Sequence, residues 1–309
     1  MIITVTLNPA IDKRLHVPQM KLGAVQRTSA QESTAGGKGL NVTRVVKQLG
    51  EQVLATGMLG GMNGEWIRQR LDRDEVSHDF VTIAGETRIC LNIIDDSNGI
   101  SSEILEQGPQ ISELEAAEMT DKIRKLAAPG VWMVMSGSLP AGLSAGFYGS
   151  LIEEAQKLGA KVLLDSSGPA LIEGLKACPY VIKPNEDEIA QLTGESVFNE
   201  STFRQIASKL ADQGLPNVIV SIGADGCLAS IDGALYRVKP PRIEAVNAVG
   251  SGDSFMAGLA VAWKRGLNGA DALRLATATG AANACSHGTG HVVLADVERL
   301  LAQVEIEVL

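Results

Sequence analysis

Val181-Ile-Lys-Pro-Asn-Glu-Asp-Glu-Ile189 runs from a short apolar segment, through a proline, directly into an acidic helix start. An unbroken apolar run marks a strand buried on both faces, and carboxylates in a first turn complement the helix dipole. The stretch reads as one strand-to-helix step of a parallel sheet. The same step recurs in both directions along the chain. Strands are expected at Ile2 to Leu7, Val53 to Met58, Val131 to Ser136, Lys161 to Asp165, Tyr180 to Ile182 and Val218 to Ser221. Helix-period segments lie between them, such as Gly39 to Leu49, stopped by Gly50, and Ser112 to Leu126, opened by the capping box Ser112-x-x-Glu115. The fold class that follows is α/β with a mostly parallel sheet.

Two segments break this rhythm. Lys13 to Thr34, and Phe80 to Glu106 with its turns at Gly85-Glu86 and Asn98-Gly99, are expected to form hairpins of a small lid inserted into one domain spanning residues 1–309. A lid of this kind needs cover for its outer face, which predicts a homodimer paired through the lid. After Ser221 the pattern turns to β segments joined by tight turns, then to helices at Gly252 to Arg265 and Ala270 to Ser286.

Composition narrows the function. The 309 residues are 45% hydrophobic and 20% charged, enough for a large buried core. A net charge of -9 and only 4% aromatic residues argue against a nucleic-acid or anionic-membrane surface. The N-terminal segment lacks a basic region, and no apolar run reaches the ~18 residues of a membrane span, so a cytoplasmic location is expected. Cys90, Cys178, Cys227 and Cys285 lack metal-ligand or C-x-x-C spacing.

In open α/β sheets ligands sit beyond the carboxyl ends of the strands, where Asn8, Ser136, Ser138, Asp165, Lys183, Asn185 and Ser221 fall. Asn247-Ala-Val-Gly-Ser-Gly-Asp-Ser254 puts a glycine-rich turn and Asp253 at the start of an apolar helix. Its residues suit a helix cap and equally an anion hole, with Gly250, Ser251 and Gly252 around a phosphate and Asp253 as a base. Ala35-Gly-Gly-Lys-Gly-Leu-Asn41 also leads into a helix, and Lys38 suits a phosphate or a polar sugar if the run is more than a turn. It lacks the spacing of a Walker loop, and neither glycine run completes G-x-G-x-x-G. Asn185 and Glu188 fall three apart, either as a hard-cation edge or as complements to the helix dipole. Ser221-x-Gly223-x-x-Gly226 reads as a hairpin turn, or as backbone on which a ligand could lie. Arg88, in the lid, reads either as a clamp for an anionic acceptor or as a solvated surface arginine.

Together, Gly-Gly-Lys-Gly-x-Asn, Lys-Pro-Asn-x-x-Glu and Val-Gly-Ser-Gly-Asp-Ser resemble the ribokinase-like carbohydrate kinases of phosphofructokinase B type. Their order and spacing cover nearly the whole chain. Ala35 to Val45, Gly85 to Arg88, Glu103 to Pro109 and Asn247 to Ser254 are most similar to tagatose-6-phosphate kinases. Thr4 to Ala10, Ser136 to Pro140 and Leu273 to Thr277 are similar to 1-phosphofructokinases. The resemblance implies a three-layer α/β/α domain with a β lid. It implies ATP-dependent phosphorylation of a ketohexose phosphate: tagatose 6-phosphate first, fructose 1-phosphate next. It places the catalytic base at Asp253 and the anion hole at Gly250 to Gly252. Acceptor binding falls to Asp12, Gly37, Lys38, Asn41, Arg88 and Ser138, and nucleotide binding to Lys183, Asn185, Ser221, Gly223, Gly226 and Asn283. Glu188 would organise Mg²⁺ through water. Around Arg88, tagatose-6-phosphate kinases tend to read Thr-Arg-Asn-Cys and 1-phosphofructokinases Thr-Arg-Ile-Asn; this chain has Thr87-Arg88-Ile89-Cys90, one feature of each.

Overall fold

The apolar strands come together as an eleven-stranded, mostly parallel sheet. The computed structural model describes residues 1–194 and 198–309. From one edge inward the order is Glu305–Val308, Ala234–Lys239, Cys227–Ile231, Val218–Ser221, Val181–Ile182, Lys161–Asp165 and Trp132–Ser136. Ile2–Thr6, Val53–Gly60 and Ser77–His78 complete the path, and Val81–Ile83 also pairs with Val53–Gly60. The first three strands of this order are the antiparallel part.

Alternation along each strand divides the core between two helical layers. Ile3, Val5, Met133, Met135, Val162 and Leu164 face one layer, which includes the helices Glu113–Leu126, Phe147–Lys157 and Glu200–Asp212. Ile2, Trp132, Val134 and Leu163 face the other, built on Lys38–Gln48, Ser251–Lys264 and Gly269–Ala284. The last two helices are rich in alanine and glycine, which lets them approach closely: a Cβ at Gly258 would lie 2.8 Å from Ala276 Cα.

A separate four-stranded sheet has the order Ala30–Gly36, Ala10–Val17, Arg88–Asp95, Ile100–Leu105. Its central pair is parallel and in register from Ala10 opposite Arg88 to Val17 opposite Asp95. Asn98-Gly99 does form the hairpin between its last two strands. Gly85-Glu86 does not. Val81–Ile83, expected in the lid, joins the main sheet instead, because Val81 and Ile83 are buried in its core beside Met58. The Glu86 carboxylate then accepts from the Met62 and Asn63 amides and caps the helix Gly61–Arg73. No described helix is long and apolar enough to cross a membrane.

Candidate active site

The anion turn is built by a backbone that only glycine adopts easily. Gly250 has φ +82°, and a Cβ there would lie 2.8 Å from both Gly290 N and Thr289 Cγ2. The turn opens the helix Ser251–Lys264, and among the described residues the amides of Gly250, Gly252 and Asp253 have no acceptor. Three N–H groups at a helix start thus remain open to an anion. Asn283 fixes this geometry from below. Its amide donates to Val249 O at 2.9 Å and Ser251 Oγ at 3.2 Å, and accepts from the His291 N–H. Asn283 is fully buried, so it braces the turn rather than meeting a nucleotide as expected. The same bond turns the Ser251 hydroxyl toward Asn283.

Asp253 is only 7% exposed. Burial and the nearby Asp165 carboxylate push its pKa up to about 6, while Lys38, the Asn41 amide and Lys183 pull it down. That is a carboxylate ionised at neutral pH and basic enough to take a proton.

The acceptor-side residues converge on one cleft of about 1010 Å³ that Asp253 also lines. Gly37, at φ +102°, turns the chain into the helix Lys38–Gln48. This brings Asn41 Nδ2 to 2.8 Å from Asp253 Oδ2. Asp12 packs against Gly36, where a Cβ would fall 2.0 Å from its Oδ2. Burial raises the Asp12 pKa, against the Gly37 N–H and the Arg88 and Arg44 charges. Arg88 reaches from the small sheet to the loop that follows Ile2–Thr6, donating to Asn8 O and Glu106 O at 2.8–3.3 Å. Asn8, in turn, donates to Ser138 Oγ at 3.2 Å.

Lys183 is the one expected nucleotide residue that lines this cleft, with its Nζ 3.5 Å from where a Gly252 Cβ would be. Asn185, Glu188, Ser221, Gly223 and Gly226 gather just beyond, where the Asn185–Ser221 bridge joins the ends of two strands. Gly226 is also required by packing, since a Cβ would strike Val238 O at 1.9 Å. Asn185 and Glu188 cap their helix reciprocally, with both bonds at 2.8–2.9 Å. Among the described residues no three acidic, His or Cys side chains cluster as a metal cage. One half-buried glutamate on a rim fits an ion held mainly by phosphate oxygens and water, as Mg²⁺ commonly is.

Two residues outside the expected set complete the centre. Asp165 is 1% exposed and lies 3.4 Å from Lys38 Nζ and 3.6 Å from Lys183 Nζ. Burial opposes its ionisation, but Lys183 and Lys38 outweigh it and hold the carboxyl below its usual range; in return Asp165 raises Lys38. Its place at a strand's carboxyl end was the available signal. Arg44 had none, being one more polar residue on a helix whose neighbours Val42, Val45 and Val46 are core.

The pfkB family carbohydrate kinase profile matches residues 6–295. A candidate phosphofructokinase from Staphylococcus aureus is 30% identical, covering 100% of this chain and 99% of its own, with a TM-score of 0.87. Phosphofructokinase-2 from Escherichia coli, solved with fructose-6-phosphate, is 27% identical over 97% of this chain and 98% of its own, at TM-score 0.91. Ribokinase from Arabidopsis thaliana, at 23% identity, shares the fold over 97% of this chain and 98% of its own, with TM-score 0.80. The two-sheet architecture is ribokinase-like.

Proposed function

Because the chain belongs to the pfkB family of carbohydrate kinases, we propose that it transfers the γ-phosphoryl group of ATP to the 1-hydroxyl of tagatose 6-phosphate, giving the 1,6-bisphosphate. One observation carries the assignment of chemistry: a buried carboxylate, Asp253, stands beside three open amides in the cleft that the acceptor-side residues line. Asp253 orients the attacking hydroxyl and accepts its proton. The Gly250, Gly252 and Asp253 amides, with Lys38 and Lys183, stabilise charge on the transferred group, the larger part of catalysis in phosphoryl transfer. Asn185, Ser221, Gly223 and Gly226 supply the rim for the nucleotide, and Glu188 would hold Mg²⁺ through water. The ion neutralises phosphate charge when bound.

Acceptor choice turns on the small sheet. Arg88 keeps unused N–H donors and faces the cleft, which supports binding of the acceptor's own phosphate. Of its neighbours, Cys90 lines the cleft, whereas Ile89 packs toward the core beside Ile11 and Leu59. The cleft-facing position is the one shared with tagatose-6-phosphate kinases, and the core-facing one with 1-phosphofructokinases. Fructose 1-phosphate is the alternative acceptor, and fructose 6-phosphate a third, since the E. coli relative was solved with it. ADP release with Mg²⁺-ATP against these three sugars and unphosphorylated ribose gives the kcat/KM ratios that decide. A preference for ribose would overturn the Arg88 assignment, and a preference for fructose 1-phosphate the tagatose reading.

The small sheet also supports a homodimer. Ile100 and Ile104 on its outer strand are 61% and 56% exposed, an apolar edge that a second copy would cover. Sedimentation at micromolar concentration should give two chains. A mass of one would refute the pairing.

A further inference from the structure

Arg44 is a half-buried guanidinium that, among the described residues, has no carboxylate within ion-pair distance. It donates to three oxygens instead: Ala35 O at 2.6 Å, Thr289 O at 3.0 Å and Asn41 Oδ1 at 3.2 Å. The third bond matters for chemistry. A guanidinium has donors only, so it must face the carbonyl end of the Asn41 amide. The NH₂ end is thereby turned to Asp253, where it donates to Oδ2 at 2.8 Å. With its oxygen turned to Arg44, Asn41 presents its NH₂ to Asp253, a donor that binds the ionised carboxylate more strongly than the neutral acid.

We infer that Arg44 is a positioning residue, which fixes the Asn41 amide so that Asp253 is held ionised and ready as a base. Its importance for turnover rests on the assignment of Asp253 as the base. Asp165, Lys38, Lys183 and Arg44 are the charged groups around Asp253, and Asp12 lies beyond Arg44. His291, on the segment packed against Gly250, lines the same cleft. Arg44→Met removes the donor, frees the amide to rotate and lets neutral Asp253 donate to Oδ1. The Asp253 midpoint should then rise by about one unit, a tenfold loss of the ionised form at acid pH.

The test is a ¹³C NMR titration of the Asp253 carboxyl, assigned with Asp253→Asn, in the wild type, Arg44→Met, Asn41→Leu and the double variant. The expected result is a rise in Arg44→Met and no further rise when Arg44→Met is added to Asn41→Leu. An unchanged midpoint, or equal increments in both backgrounds as a bare charge effect would give, overturns the inference. If the midpoint moves and the acid limb of kcat/KM does not, the positioning role stands and the base assignment falls. Should Arg44→Met fail to fold, the wild type still decides through its Asn41 side-chain NH₂ signals. One proton should move downfield with the Asp253 midpoint, and its failure to respond overturns the inference equally.

Discussion

Asp253→Asn should make the protein more stable as it makes it inactive. The Asp253 pKa is about 6 in the folded protein against 3.8 for the free group, because burial and Asp165 disfavour its charge. Between those two values the folded state keeps a proton that the unfolded state has released, so stability falls as pH rises through this window. A shift of about two units at about 1.4 kcal/mol each costs about 3 kcal/mol above pH 7. An asparagine has no charge to bury, and its Oδ1 can still accept from Asn41. Urea denaturation of both proteins from pH 4 to pH 8 measures the difference. The variant should be more stable by about 2–4 kcal/mol at pH 8, with the gap closing toward pH 4. A variant no more stable at pH 8, or a gap that does not change with pH, would refute the reasoning.

The same carboxylate sets the acid limb of activity: kcat/KM should rise through about pH 6 and be about tenfold lower at pH 5 than on its plateau. A limb below pH 5 would contradict it. Arg88→Ala should raise KM for the phosphorylated sugar at least about tenfold and leave any turnover of an unphosphorylated sugar unchanged, as a charge-assisted contact to the acceptor's phosphate requires. Gly250→Ala forces a Cβ to 2.8 Å from Gly290 N at φ +82°, and should cost about 1–3 kcal/mol of stability together with kcat, read by thermal melting and turnover. Asn283→Ala removes the donor that holds Val249 O and Ser251 Oγ in the turn and should lower kcat without moving sugar KM.

The parallel sheet was legible because its strands are short, mostly apolar and β-branched runs separated by helix-period segments. Val81–Ile83 shows where that ends: two apolar residues around an exposed threonine, beside a lid-like stretch, carry no mark of which sheet they join, and only the burial of Val81 and Ile83 beside Met58 decides it. The strand Glu305–Val308 was missed although Glu-Ile-Glu-Val alternates, because four mostly exposed residues are too short a run to stand out. In the site, the glycine turns were readable from residue type. Asp165 was visible only as a polar strand end, and its partners Lys38 and Lys183 lie far off in sequence. Asn283 misled for a related reason. Its side chain meets the active-site turn, but from the inside of the protein.

The most direct measurement is the rate of γ-phosphoryl transfer from Mg²⁺-ATP to tagatose 6-phosphate by Asp253→Asn at pH 8, alongside the sugar affinity of the folded variant. The expected result is a fall in kcat of roughly 10² to 10⁴ with sugar binding retained. Near-normal turnover by the folded variant would contradict the assignment of Asp253 as the base.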